Sequence, residues 1–292
     1  NALKHYAKPV ANAVGMLADK IIENKGKKIV LVSLARAGIP IGILVKRYIK
    51  FKYGINVPHY SISIIRGRGI DDNAMKYLLE KYRPQQILFV DGWIGKGAIL
   101  NELKKDISAY EGVSADIAVV ADPANVTELC GTHEDILIPS SCLNSTVSGL
   151  ISRTFLRDDI IGRDDFHGAV YYGELTDSDL SYDFIETIEK EFNMENTPDL
   201  EKRVESQGID EVINIGKNFG IDDINLIKPG IGETTRVLLR RIPWKVLIDE
   251  RYKGNPQLEH IVRLAEEKHT PVEYYPLIHY KCCGIIKKLA DA

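Results

Sequence analysis

Between residues 29 and 138 the chain alternates short apolar runs with stretches whose apolar positions recur every three to four residues. The short runs at 29–34, 59–65, 87–90, 116–120 and 135–138 predict strands. The longer periodic stretches at 11–22, 40–48, 71–82 and 98–110 predict helices, with Pro40 near a first turn, where a missing N–H costs nothing. Strands alternating with helices predict a mainly parallel α/β sheet. Ligands of such sheets sit beyond the carboxyl ends of the strands. Those ends read SLARAGIP, VDGWIGKG, ADPAN and PSSCLNST, all rich in small and polar residues.

The pattern then changes twice. Leu180, Phe184, Ile188 and Phe192 mark one stripe of an amphipathic helix, 195–199 is polar and holds a proline, and 200–219 supplies more helix. From about 224, GETTRVLLRR predicts a helix start, WKVLID a strand, PQLEHIVRLAEEKH a helix, VEYYPL a strand and CCGIIKKLA a final helix. This divides the chain into a sheet domain at 1–180, a helical linker at 181–223 and a compact β/α module at 224–292, as the length of 292 residues favours.

Composition narrows the class. With 45% hydrophobic and 27% charged residues, the chain has the make-up of a soluble globular protein. No apolar run approaches the ~18 residues of a membrane span. The opening NALKHYAK has no initiator Met and no signal-peptide pattern, so some N-terminal sequence is expected to be missing. The net charge of −3 hides an asymmetry: residues 226–292 carry 12 basic and 8 acidic side chains, a mildly basic balance compatible with RNA. Cys130, Cys142, Cys282 and Cys283 form no CxxC pair, which favours a reduced, cytoplasmic protein.

The candidate chemistry centres on ILFVDGWIGKGAI. A strand, a glycine-rich turn and a helix start together make an anion site, because backbone N–H groups and the helix dipole face the ligand. Gly95 and Gly97 let a phosphate approach the main chain, and Lys96 adds a point charge. The spacing Gly92-x-x-Gly95-Lys96-Gly97 does not fit the ATP-binding P-loop. Asp91 at the strand end suits a sugar phosphate, its carboxylate accepting hydrogen bonds from ribose hydroxyls. The same turn also fits an ordinary βα connection.

This arrangement resembles the phosphoribosyl pyrophosphate (PRPP) loop of type I phosphoribosyltransferases, although Gly92 replaces the usual second acid and Lys96 the usual Thr. SLARAGIPIG resembles the pyrophosphate loop of that family, and SIIRGRGIDD occupies the place of its mobile catalytic loop. Together with CLNSTVSGLISRTFL and FHGAVYY, these stretches look closest to the phosphoribosyltransferase-like proteins of bacterial tellurite-resistance and stress gene clusters. The resemblance implies a type I phosphoribosyltransferase-like fold and displacement of diphosphate from PRPP, with Mg²⁺ carried by PRPP, by an unknown nitrogenous acceptor. It assigns PRPP or phosphate contacts to Ser33, Arg36, Ala37, Gly38, Asp91, Gly92, Gly95, Lys96, Gly97 and Ala98, and a catalytic part to Arg66, Arg68 and Asp91. Asn144, Ser145, Thr146 and Ser148 are read as phosphate or base ligands, or as helix caps. Some members of the subgroup carry a cysteine-protease label (StiP). That label makes Cys142, with His167 or His133 as base, an alternative nucleophile.

GIGETTRVLLRR resembles the signature of the L7Ae and pelota RNA-binding fold, with Gly230, Glu233, Thr235 and Arg236 in register. By that resemblance Glu233 accepts a base edge, and Thr235 and Arg236 contact the backbone of a structured RNA. An L7Ae-like fold used only for packing is the alternative, and a homodimer is compatible with it. The expectation is therefore an α/β, parallel-sheet, type I phosphoribosyltransferase-like domain joined to a smaller L7Ae/pelota-like α/β domain. A catalytically inactive nucleotide- or RNA-binding protein and a cysteine protease are the other readings.

Overall fold

The computed structural model describes residues 2–198 and 205–288. The N-terminal part runs α1 (Ala2–Lys25), β1 (Val30–Ala35), α2 (Gly38–Tyr53), β2 (His59–Ile65), β3 (Gly69–Ile70), α3 (Asp72–Lys81), β4 (Ile87–Trp93), α4 (Ala98–Ile107), β5 (Ile117–Ala121), β6 (Cys130–Thr132), α5 (Ser140–Leu143), β7 (Ile151–Phe155), β8 (Gly168–Tyr171) and α6 (Ser181–Glu189). The C-terminal part runs α7 (Gly208–Phe219), β9 (Ile227–Pro229), α8 (Ile231–Arg240), β10 (Pro243–Ile248), α9 (Glu259–Glu267), β11 (Val272–Tyr274) and β12 (Cys282–Ile286).

The first sheet has the order β3-β2-β1-β4-β5-β6 and is parallel except for β3. Its strands read as unbroken apolar runs because helices cover both faces. Leu31, Leu88, Val90, Ala118 and Val120 point toward α1 and α2, while Val30, Val32, Phe89, Ile117 and Val119 join Met75, Leu78, Leu100 and Leu103 on the α3–α4 side. Truncating one of these, such as Phe89→Ala, is expected to cost about 3–5 kcal/mol. The chain leaves β1 toward β2 on one side, and β4 lies on the other. A crevice therefore opens beyond the carboxyl ends of β1 and β4, where an open α/β sheet places its ligand.

The helices between the two sheets pack rather than dangle. Phe184, Ile185 and Ile188 of α6 are buried in the core under α1 and α2, and Val212 and Ile215 of α7 pack with Ile227, Leu247 and Tyr280. The second sheet has the order β11-β10-β12-β9, with β12 antiparallel to both neighbours.

Two expectations need correction. CCGIIKKLA was expected to be a final helix, but its core is strand β12, with Cys282, Cys283 and Ile285 wholly buried. A run this short and uniformly apolar has no period to separate strand from helix, and its central place in the sheet decides. Residues 135–138 were expected to be a strand, but the strand is β6, and 135–138 is an extended connection to α5. Residues 200–204 of the anticipated helix lie outside the described residues. No helix among the described residues is long and apolar enough to cross a membrane.

Candidate functional site

A cleft of about 510 Å³ opens at the crevice between β1 and β4, and the second domain closes its far side. Loop residues Arg36 and Ala37, Arg66 from the β2–β3 turn, Asp91, Gly95 to Ala98, and Ser140, Ser141 and Ser148 line one wall. Lys228, Glu233 and Arg236 line the other. Residues assigned to PRPP and residues assigned to RNA thus face a single cavity.

The backbone explains the loops. A Cβ at Gly38 would lie 2.3 Å from the Val90 carbonyl oxygen, so only glycine lets α2 start against β4. Gly97 holds φ +88, the left-handed region that glycine adopts freely, and α4 begins at the next residue. Five cations line the cleft (Arg36, Arg66, Lys96, Lys228 and Arg236) against two carboxylates, Asp91 and Glu233. Burial, and then Arg236 and Arg240, push the Arg36 pKa down. Burial first, and Lys228 second, lower Lys96 to about 8. Like charges gathered in a partly dry cleft favour an anion between them.

Asp91 is buried, and burial lifts its carboxyl to about 7 against the pull of the Gly92 N–H, which donates to Oδ1 at 2.7 Å. The Lys96 ammonium donates to the carbonyls of Ile224 (2.7 Å) and Ile227 (3.0 Å), and Tyr280 Oη donates to the Gly95 carbonyl at 2.7 Å. The glycine loop is therefore strapped to the second domain. Opposite it, Asp135 accepts from the Ile231 N–H at the start of α8 and from the Lys281 N–H, each at 2.9 Å. Burial raises its carboxyl to about 6.

Several anticipated residues stand elsewhere. Ser33 is fully buried and pairs with His59 Nε2 at 2.8 Å, away from the cleft. Gly38 and Gly92 shape the backbone behind the cleft instead of lining it. Arg68 is exposed on the β2–β3 turn and does not line the cavity. Ser145 is buried, the Thr146 hydroxyl donates to the Leu143 carbonyl, and the Asn144 side chain lies outside the described residues. Gly230 takes φ +91 beside Asp135, and the Thr235 hydroxyl is held by Ile231 O and His260, so neither faces the cleft. Glu233 and Arg236 do face it, paired at 2.8 Å.

Neither histidine anticipated as a base is held on Cys142 among the described residues. His167 Nδ1 pairs with Ser63 Oγ at 2.9 Å, and His133 Nε2 pairs with Cys130 Sγ at 3.3 Å. Burial raises the Cys142 thiol, the direction that opposes thiolate formation. The sequence reading missed Ser140, Ser141 and Lys228. Ser140 Oγ is buried at the cleft with no hydrogen-bond partner among the described residues. The PSS and IKPG runs at strand ends were the available signal.

Comparison with known proteins gives a family. Residues 1–189 match the family profile described as tellurite-like stress resistance cysteine protease StiP, and residues 206–288 match the PELOTA RNA binding domain. A relative from Acinetobacter baylyi, named cysteine protease StiP, is 32% identical over 99% of this chain and 80% of its own length. Among solved structures, a hypoxanthine-guanine phosphoribosyltransferase from Bacillus anthracis aligns at 18% identity and TM-score 0.31, over 42% of this chain and 71% of its own. An HGPRT-ase from Leishmania tarentolae in complex with GMP aligns at 12% identity and TM-score 0.30, over 47% and 74%.

Proposed function

This chain belongs to the family of tellurite-like stress resistance cysteine proteases StiP, and from that footing we propose that its interdomain cleft is a phosphoribosyltransferase-type site. The observation that carries the reading is the convergence of five cations, a glycine loop and a buried strand-end carboxylate on one cavity. That set suits a ligand with a sugar between two phosphate groups. The reaction breaks the bond from ribose C1 to diphosphate and forms one from C1 to a nitrogen nucleophile. Diphosphate leaves with its Mg²⁺, and the nitrogen gives its proton to solvent.

The protein's part is positioning and charge stabilisation. Asp91 accepts hydrogen bonds from ribose hydroxyls. The amides of Gly95 to Ala98 hold the 5′-phosphate, with the Lys96 ammonium fixed beside them. Arg36 stabilises the leaving diphosphate, and Arg66 covers it from the β2–β3 turn. Ser140 offers a hydroxyl. Glu233 and Arg236 reach the same ligand from the pelota-type domain, which brings a nucleotide or RNA acceptor to the cleft. Two observations weigh against peptidase chemistry at Cys142: its thiol is pushed up by burial, and His167 is engaged by Ser63.

Calorimetric titration of PRPP with Mg²⁺ into the full chain tests the reading. Saturable binding that weakens about 100-fold in Asp91→Asn is expected. Equal affinity in the two proteins sinks the assignment.

A further inference from the structure

Beside the strapped loop, Asp122 just past β5 meets Cys130, the first residue of β6, and His133, just past that strand. Cys130 Sγ lies 3.3 Å from His133 Nε2. His133 Nδ1 lies 3.0 Å from the Asp122 carbonyl oxygen. A carbonyl only accepts, so Nδ1 carries the ring proton and Nε2 turns its lone pair toward the sulfur. The Asp122 carboxylate is aimed at the same ring. Its Oδ2 accepts from the N–H groups of Val126 (2.7 Å) and Thr127 (2.8 Å) and lies 3.8 Å from Nδ1.

One ligand atom from each residue fits within 4.8 Å of the others. A tetrahedral zinc ion with Zn–S of about 2.3 Å and Zn–N of about 2.0–2.1 Å holds sulfur and nitrogen roughly 3.5 Å apart. The observed separation needs a shift of a few tenths of an ångström. Holding the non-ligating ring N–H on a backbone carbonyl is also how metal-bound histidines are fixed.

We infer that Cys130, His133 and Asp122 form a site for a thiophilic divalent cation of the zinc class. Binding is a ligand exchange without redox change. The thiol proton goes to solvent, the thiolate sulfur and Nε2 each donate a lone pair to the metal, and the carboxylate supplies the third ligand. A nucleophilic cysteine is the competing use of the same pair, and burial weighs against it. Cys130 is wholly buried, whereas a scissile carbonyl must come within about 3–3.5 Å of the sulfur. Of the three side chains only that of His133 is part-exposed, at 20%.

The test uses the full chain freed of metal by a chelator and titrated with Co²⁺ and then Zn²⁺. One equivalent of Co²⁺ should give a thiolate-to-cobalt charge-transfer band in wild type and in Cys142→Ser. That band should vanish in Cys130→Ser. His133→Gln, at a part-exposed position, should weaken Co²⁺ by at least about tenfold and serves as the second probe if Cys130→Ser does not fold. Added Zn²⁺ should bleach the band. Absence of a band in wild type, or its survival in a folded Cys130→Ser protein, overturns the site. Faster alkylation of Cys130 than of Cys142 by iodoacetamide in metal-free protein, with no cobalt band, overturns it in favour of a nucleophile. None of these readouts depends on PRPP, so this site and the phosphoribosyl reading stand or fall separately.

Discussion

The surroundings of Asp91 and Asp135 make an instructive pair. Both carboxyls are buried near the carboxyl edge of the first sheet, and burial raises both, to about 7 and about 6. Asp135 accepts from two backbone N–H groups of the other domain, so its burial is compensated by the joint that it makes. Asp91 accepts from the N–H of its own neighbour, Gly92, and otherwise borders the cleft. A buried acid satisfied by main chain holds a structure together. A buried acid satisfied by little, beside an open cavity, is poised for a ligand.

Substitution should pull the two apart. Asp135→Ala leaves the amides of Ile231 and Lys281 unpaired, at about 1–3 kcal/mol each, so thermal unfolding should show a loss of roughly 2–6 kcal/mol. Asp91→Asn should do the reverse. Thermal unfolding should show its fold as stable as wild type or more so, while PRPP affinity falls about 100-fold, near 2.7 kcal/mol, in calorimetry. Lys96→Met removes the cationic donor to two carbonyls and should lower stability by roughly 1–3 kcal/mol, seen as an earlier denaturant midpoint.

The gentlest probe is pH. An acid whose folded pKa is raised binds more protons folded than unfolded, so its contribution to stability is fullest below about 4 and falls as pH rises toward the folded value. The part of stability carried by Asp91 and Asp135 should therefore fall between about 4 and 7, and the slope of stability against pH should be more positive in Asp91→Asn than in wild type over the upper part of that window. PRPP affinity should change the opposite way, tightening as Asp91 ionises through about 7 and levelling above it. A pH-independent affinity would separate Asp91 from ribose recognition.

Much of this site was legible before the fold, because its parts are local. A strand, a glycine turn and a helix start leave a sequence trace within about ten residues, and Arg36, Asp91, Lys96 and Gly97 were found that way. Glu233 and Arg236 were found as well, but as ligands of a separate RNA. That they share a cavity with Asp91 follows from docking of the domains, which no local pattern encodes. Ser140 and Lys228 stand in small-residue runs at strand ends that were not resolved to single residues, and Asp135 was read as part of a strand. Ser33 lies inside β1, before the loop that was read correctly, and strand alternation turns its side chain inward toward His59. The Cys130 group escaped because its three residues come from two different strand ends and match no spacing rule.

The hydrogen bond from Tyr280 to the Gly95 carbonyl joins residues 185 positions apart. A ribosome adding about 5–20 residues per second needs about 10–40 s to make that span. During that interval the glycine loop is already outside the tunnel while its clamp is still unmade. Synthesis order thus gives the nascent chain a period in which every strand of the first sheet has been made but the far wall of the cleft has not.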